Sequence, residues 1–123
     1  MPSRMKQHYQ NLAVWQRAID LVPKVYQLAQ GFPKHETYAL GDQIRRAAVS
    51  IPANIAEGQG REHPKEFVYH LSIAKGSLAE LHTLLIVAQK LGYMEEAAMH
   101  QWEEELSGVR RPLAGLLAKL KIP

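Results

Sequence analysis

The sequence predicts an all-α protein, an antiparallel up-down-up-down four-helix bundle. Three observations carry that expectation. Phe67, Leu71, Ala74, Leu78, Leu81, Leu85 and Ala88 recur at alternating spacings of four and three. Met99, Trp102, Leu106, Val109, Leu113, Leu116 and Leu120 form a second seam of the same kind, the pattern by which a helix keeps one stripe facing its neighbours. Glycine and proline cluster at Gly31 to Pro33, at Gly58 to Pro64 and at Gly92, dividing the chain into four helix-length segments joined by short reversals.

The predicted helices span about 11–30, 37–58, 64–91 and 95–121, in one domain of residues 1–123. Asn11 is placed to N-cap the first, which buries Trp15, Ala18, Ile19, Val22, Val25, Tyr26 and Ala29 and shows Arg17, Asp20 and Lys24 to water. Gly58 and Gly60 break the second; Pro64 suits the first turn of the third, and Gly92 closes it. The fourth opens on acids at Glu95 and Glu96 and finishes on Lys119 and Lys121, matching the helix dipole. Pro23 and Pro112 fall inside the first and fourth helices, where each removes a backbone hydrogen bond and is expected to kink or break them.

Composition bounds the function. There is no cysteine, which excludes disulfides, thiolate metal sites and a cysteine nucleophile. The first ten residues have no apolar run behind their charges, and the longest apolar run, Leu84 to Ala88, is far short of a membrane span; a cytoplasmic protein with no membrane partner is expected. Residues 1–94 hold 11 Lys/Arg against 7 Asp/Glu, whereas residues 95–123 hold 4 against 5, so the first three quarters are basic. Basic surfaces attract nucleic acid.

No catalytic constellation emerges. A di-iron bundle needs a Glu three residues before a His, and none of the six histidines has one there; Glu66–His70 and Glu96–His100 stand four apart, the spacing of surface pairs. Gly58-Gln-Gly60 follows a helix rather than a strand, so it is not a phosphate loop, and no serine has a base and an acid at readable spacing. The expectation is a protein that is not an enzyme and carries no metal or cofactor.

The second helix is the unusual segment, because Ala47 to Ala56 contains no charge. At 100° per residue, Leu40, Ile44, Ala47, Ala48, Ile51 and Ile55 form a core stripe. Val49, Pro52, Ala53 and Ala56 form a smooth face of small groups, and Gln43, Arg46, Ser50, Asn54, Glu57 and Arg61 a narrow polar stripe. The third helix has a second seam, Ile73, Ser77, Glu80, Leu84, Val87 and Leu91. An isolated bundle needs one stripe per helix, so the surplus points to subunit contacts, with Leu84, Val87, Val49, Ala53 and Ala56 as candidates. Ser77 and Glu80 are expected to meet the polar stripe, Arg46 pairing with Glu80 or Glu57 while Ser50 and Asn54 satisfy backbone near Pro52.

Arg46-Ala-Ala-Val-Ser-Ile-Pro-Ala-Asn-Ile-Ala-Glu-Gly58, with Phe32-Pro33 before it and Ala74-Lys-Gly-Ser-Leu-Ala-Glu-Leu81 after it, resembles the signature of the four-helix bundle proteins of 23S rRNA intervening sequences. The resemblance runs from Leu12-Ala-Val-Trp15 to Leu91-Gly-Tyr93. It implies a homopentameric barrel of basic character that binds nucleic acid. Tyr38-Ala-Leu-Gly-Asp42 departs from that pattern toward a related branch, the accessory variability determinant of diversity-generating retroelements, whose pentamers bind nucleic acid and a reverse transcriptase. The function expected is therefore a non-catalytic oligomer binding RNA or DNA backbone, with Arg17, Lys24, Arg45, Arg61 and Lys65 as candidate phosphate contacts. The alternative is a pentameric scaffold or accessory factor recruiting a protein such as a reverse transcriptase.

Overall fold

The computed structural model describes residues 8–120, and within them four α-helices and no strand. α1 is Ala13–Gln30, α2 Leu40–Gly60, α3 Pro64–Lys90 and α4 Glu96–Leu120. Two short 3-10 turns, His8–Asn11 and Lys34–Glu36, precede α1 and α2. The predicted last residue of the fourth helix, Lys121, lies outside the described residues.

Neighbouring helices run antiparallel, as paired contacts of opposite numbering require. Ser50 of α2 meets Ser77 of α3, while Asn54, one turn further on, meets His70. Lys24 of α1 meets Glu105 of α4, and Arg17 lies over Gly108. The α1–α2 connection and the α3–α4 turn share one end of the bundle, where Tyr93 bonds Glu36 and its ring packs on Phe32 at 5.4 Å. The start of α1, the α2–α3 turn and the end of α4 share the other, where Leu120 faces Pro64 and Val68.

The core follows the predicted seams. On α2, Leu40, Ile44, Ala47, Ala48, Ile51 and Ile55 are all buried, as are Leu71, Ala74, Leu78, Leu81, Leu85 and Ala88 on α3. α3 is, by length and composition, apolar enough to cross a membrane, contrary to the expectation from the short apolar run; 39% of its apolar window is buried in the bundle, and Ile86 and Val87 stay exposed. α1 is rotated from the expected stripe. Val14 and Leu21 are buried with Ala18, Val25 and Ala29, whereas Ile19 and Tyr26 are exposed. Tyr26 lies instead beneath the Arg45 guanidinium, 5.9 Å from its ring centroid, a cation–π contact at the surface.

Several expected breaks are absent. α2 runs through Gly58 to Gly60, and the left-handed residue in the following turn is Glu62, at φ 61°, rather than a glycine. Gly58 serves close approach: a Cβ there would stand 2.7 Å from His70 Cβ and 3.1 Å from Phe67 Cδ1. Asn11 does not cap α1; Leu12 occupies that position with no side-chain hydrogen bond, and Asn11 belongs to the preceding turn. α1 and α4 continue through Pro23 and Pro112. Pro23 and Ile19, whose carbonyl it frees, lie on an exposed face, and Pro112 with Gly108 lines an open groove, so neither break is buried in the core. Gly92 ends α3 as expected: at φ 84° it lets its own N–H bond Gln89 O and the Tyr93 N–H bond Ala88 O.

Candidate nucleic-acid interface and polar network

The polar stripe of α2 is a hydrogen-bonded chain, assembled because α2 and α3 pack closely over small side chains. The Ser50 carbonyl accepts from Asn54 Nδ2 at 2.9 Å, and Ser50 Oγ accepts from the same nitrogen at 3.0 Å. A carbonyl can only accept, so the amide orientation is set and Asn54 Oδ1 faces His70 Nδ1 at 3.2 Å as an acceptor. The bond is therefore donated by a His70 Nδ1–H. Ser50 Oγ, already accepting from Asn54, has its own proton free for Ser77 Oγ at 2.8 Å. Ser77 is buried, so this bond satisfies a polar group inside the α2–α3 seam.

Arg46 and Glu80 do not join this chain. Arg46 Nε pairs with Asp42 Oδ2 at 3.2 Å, one turn back on α2, and its side chain is 81% exposed. Glu80 is exposed on α3 with no ion pair among the described residues. The expected pairing fails because Asp42, one turn back on the same helix, takes Arg46 at the surface. Glu57 is also outside: it accepts from Arg61 Nη2 at 2.8 Å, while Arg61 Nη1 reaches Glu66 at 3.3 Å. The Arg61 bond, and next the nearby His70, hold the Glu57 carboxyl below its ordinary range; Glu57 in turn raises Arg61. Asn54 serves the Ser50 carbonyl rather than the Ala48 carbonyl that Pro52 frees. His70 is the member that sequence reasoning missed, and its position opposite Asn54 emerges only when the helices are paired.

Of the candidate phosphate contacts, three are engaged. Lys24 Nζ pairs with Glu105 Oε2 at 2.8 Å, Arg61 with Glu57 and Glu66, and Arg45 Nη2 donates to Thr37 O at 2.7 Å with Asp42 3.8 Å away. Arg17 and Lys65 are exposed and make no ion pair among the described residues. The candidate interface residues also divide: Val49 (41%), Val87 (38%) and Ala53 are exposed, Ala56 is half-buried, and Leu84 packs against the core.

Charge is sorted by position along the bundle. Arg4, Lys6 and Lys121 lie outside the described residues, which leaves 12 cations against 12 acids within them. The half containing residues 8–21, 51–77 and 109–120 has seven cations and four acids; the half containing 22–50 and 78–108 has five and eight. The basic bias read along the chain is thus a basic half in space, the one that runs to the end formed by the start of α1, the α2–α3 turn and the end of α4. Its cations Arg17, Lys75, Arg110 and Arg111 lie towards the middle of the bundle, and the α2–α3 turn holds Arg61 and Lys65 beside Glu57, Glu62 and Glu66. Among the described residues no group of three His, Asp or Glu side chains converges on a point where an ion could be held.

Four antiparallel helices, a polar ladder through the α2–α3 seam and a charge-sorted surface define a small four-helix bundle protein. The family model described as 23S rRNA-intervening sequence protein matches residues 10–115, and the chain belongs to that family. Among curated proteins none matches the chain.

Proposed function

We propose that this protein is a non-catalytic oligomer that binds nucleic acid through the basic half of each bundle, by contacts to phosphate. The sorting of charge supports this reading most directly. Arg17, Lys65, Arg111 and Lys119 sit on the basic half without ion pairs among the described residues; Lys65 and Lys119 stand open to a polyanion, while Arg17 and Arg111 line a groove shared with Glu103 and Glu104. Arg4, Lys6 and Lys121 adjoin that half in sequence. Repetition in a ring, pentameric by the family resemblance, multiplies the field. The exposed apolar groups Val49 and Ala53 on α2, Ile86 and Val87 on α3, and Leu91 just past its end, are surfaces on which copies would pack.

A salt titration with labelled structured RNA and duplex DNA tests the binding. Affinity is expected to fall linearly with the logarithm of salt and to vary little with sequence. No binding of either at low salt would contradict the reading. In that event the acid-rich half, with Tyr38 90% exposed beside it, favours a scaffold that recruits a basic protein partner, a reverse transcriptase being the one the accessory-branch resemblance suggests.

A further inference from the structure

We propose that Tyr69 is a stacking platform for unpaired nucleobases, so that the basic half takes single-stranded nucleic acid in preference to a closed duplex. The inference rests on the nucleic-acid reading above and names its substrate class. Tyr69 is 63% exposed on the second turn of α3, one turn after Lys65, which is itself exposed and without an ion pair among the described residues. A ring next to a free cation is the pairing that a single strand needs, one for the base and one for its phosphate. Duplex bases are already stacked on each other and offer no face to such a ring.

Two further observations separate Tyr69 from a tyrosine that merely happens to be exposed. Its ring is braced on one side by His70, with centroids 5.2 Å apart and planes at 78°. His70 is in turn held by Asn54 Oδ1 at 3.2 Å, so the platform is anchored through the hydrogen-bonded chain to the α2–α3 seam. An ordered ring loses little further freedom when a base settles on it. Tyr38 is more exposed, at 90%, but lies in the acid-rich half, where the nearby Arg45 and Arg46 are engaged by Asp42. It is the natural control.

The test is fluorescence anisotropy at low salt with labelled single-stranded RNA, single-stranded DNA and blunt duplex DNA of one sequence, each about a dozen nucleotides long. Tyr69→Ala is expected to weaken single-strand binding about tenfold, the loss of one stacked base, and to change duplex binding less than about twofold. Tyr69→Phe should restore binding, and Tyr38→Ala should leave it unchanged. Equal losses on RNA and DNA assign the site to the base alone; a loss confined to RNA supports the site and adds a 2′-hydroxyl contact. Wild-type affinity in Tyr69→Ala, or equal losses on duplex and single strand, overturns the inference. So does a change of oligomer mass in Tyr69→Ala by light scattering, which would make the ring a subunit contact. Failure of the underlying reading looks different: the wild type then binds none of the probes, or Lys65→Glu changes no affinity.

Discussion

Tyr93 donates its hydroxyl proton to Glu36 Oε2 at 2.7 Å, tying the α3–α4 turn to the α1–α2 connection. The other carboxylate oxygen accepts the Leu40 N–H at 3.3 Å, at the first turn of α2, which has no other side-chain cap. One acid thus closes the end of the bundle opposite the proposed binding half.

This pair makes stability depend on pH in two windows. The Tyr93 bond, followed by the Leu40 N–H, holds Glu36 below its ordinary carboxylate value, so its contribution is present above that value and is lost as pH falls through the lowered one. Glu36 raises Tyr93 above the ordinary phenol value; that contribution is complete below the ordinary value and lost as pH rises through the raised one. Tyr93→Phe should lower the melting temperature at neutral pH and flatten both flanks of its pH profile. A profile identical to wild type would show that the bond does not form in solution.

The glycines of α2 should respond oppositely to alanine. At Gly58 a methyl group meets His70 Cβ at 2.7 Å and the Phe67 backbone Cα at 3.3 Å, so Gly58→Ala is expected to destabilise by about 1–3 kcal/mol. At Gly60 nothing lies within 4 Å, and Gly60→Ala should stabilise by about 0.5–1 kcal/mol. Urea unfolding of the two variants measures both signs.

The turns offer a matched pair. Gly92, at φ 84°, is strained by any side chain, and Gly92→Ala should cost about 1 kcal/mol. Glu62 already carries a side chain at φ 61° in the α2–α3 turn, so Glu62→Gly should stabilise by a comparable amount, about 0.5–1 kcal/mol, in thermal melts.

Double-mutant cycles distinguish the polar ladder from its rim. Ser50→Ala and Ser77→Ala share a hydrogen bond at 2.8 Å and should couple by about 0.5–1.5 kcal/mol. Arg46→Ala and Glu80→Ala share no contact, and each should fall within about 0.5 kcal/mol of wild type and add. Coupling between Arg46 and Glu80 would place both charges inside the seam after all.

The pattern of these residues explains what sequence could and could not reveal. The buried seams of α2 and α3 were legible because heptad spacing is a local property of the chain. Ser50 and Asn54 were legible together because polar residues at helical spacing within an uncharged run have one face to share, and Ser77 because it interrupts an otherwise apolar seam of the next helix. The partner of Arg46 was not. Asp42 and Glu80 both match it by charge, and only the assembled helices show that the neighbour on the same helix wins. The rotation of α1, which exposes Ile19 and Tyr26 and buries Val14 and Leu21, also follows from tertiary packing, since both sets have helical spacing. The basic half is invisible along the sequence because it collects cations from α1, α3, α4 and the α2–α3 turn.

The central claim is that nucleic acid binds on that half. Its most direct test is the affinity for labelled RNA, across a range of salt, of two variants with the same change of net charge: Arg17→Glu with Lys65→Glu on the basic half, and Lys34→Glu with Lys90→Glu on the acid-rich half. The account expects the first to weaken binding at least tenfold and to reduce the slope of log affinity on log salt by about two, with the second within about twofold of wild type. Equal losses in the two variants, with oligomer mass unchanged, would contradict it.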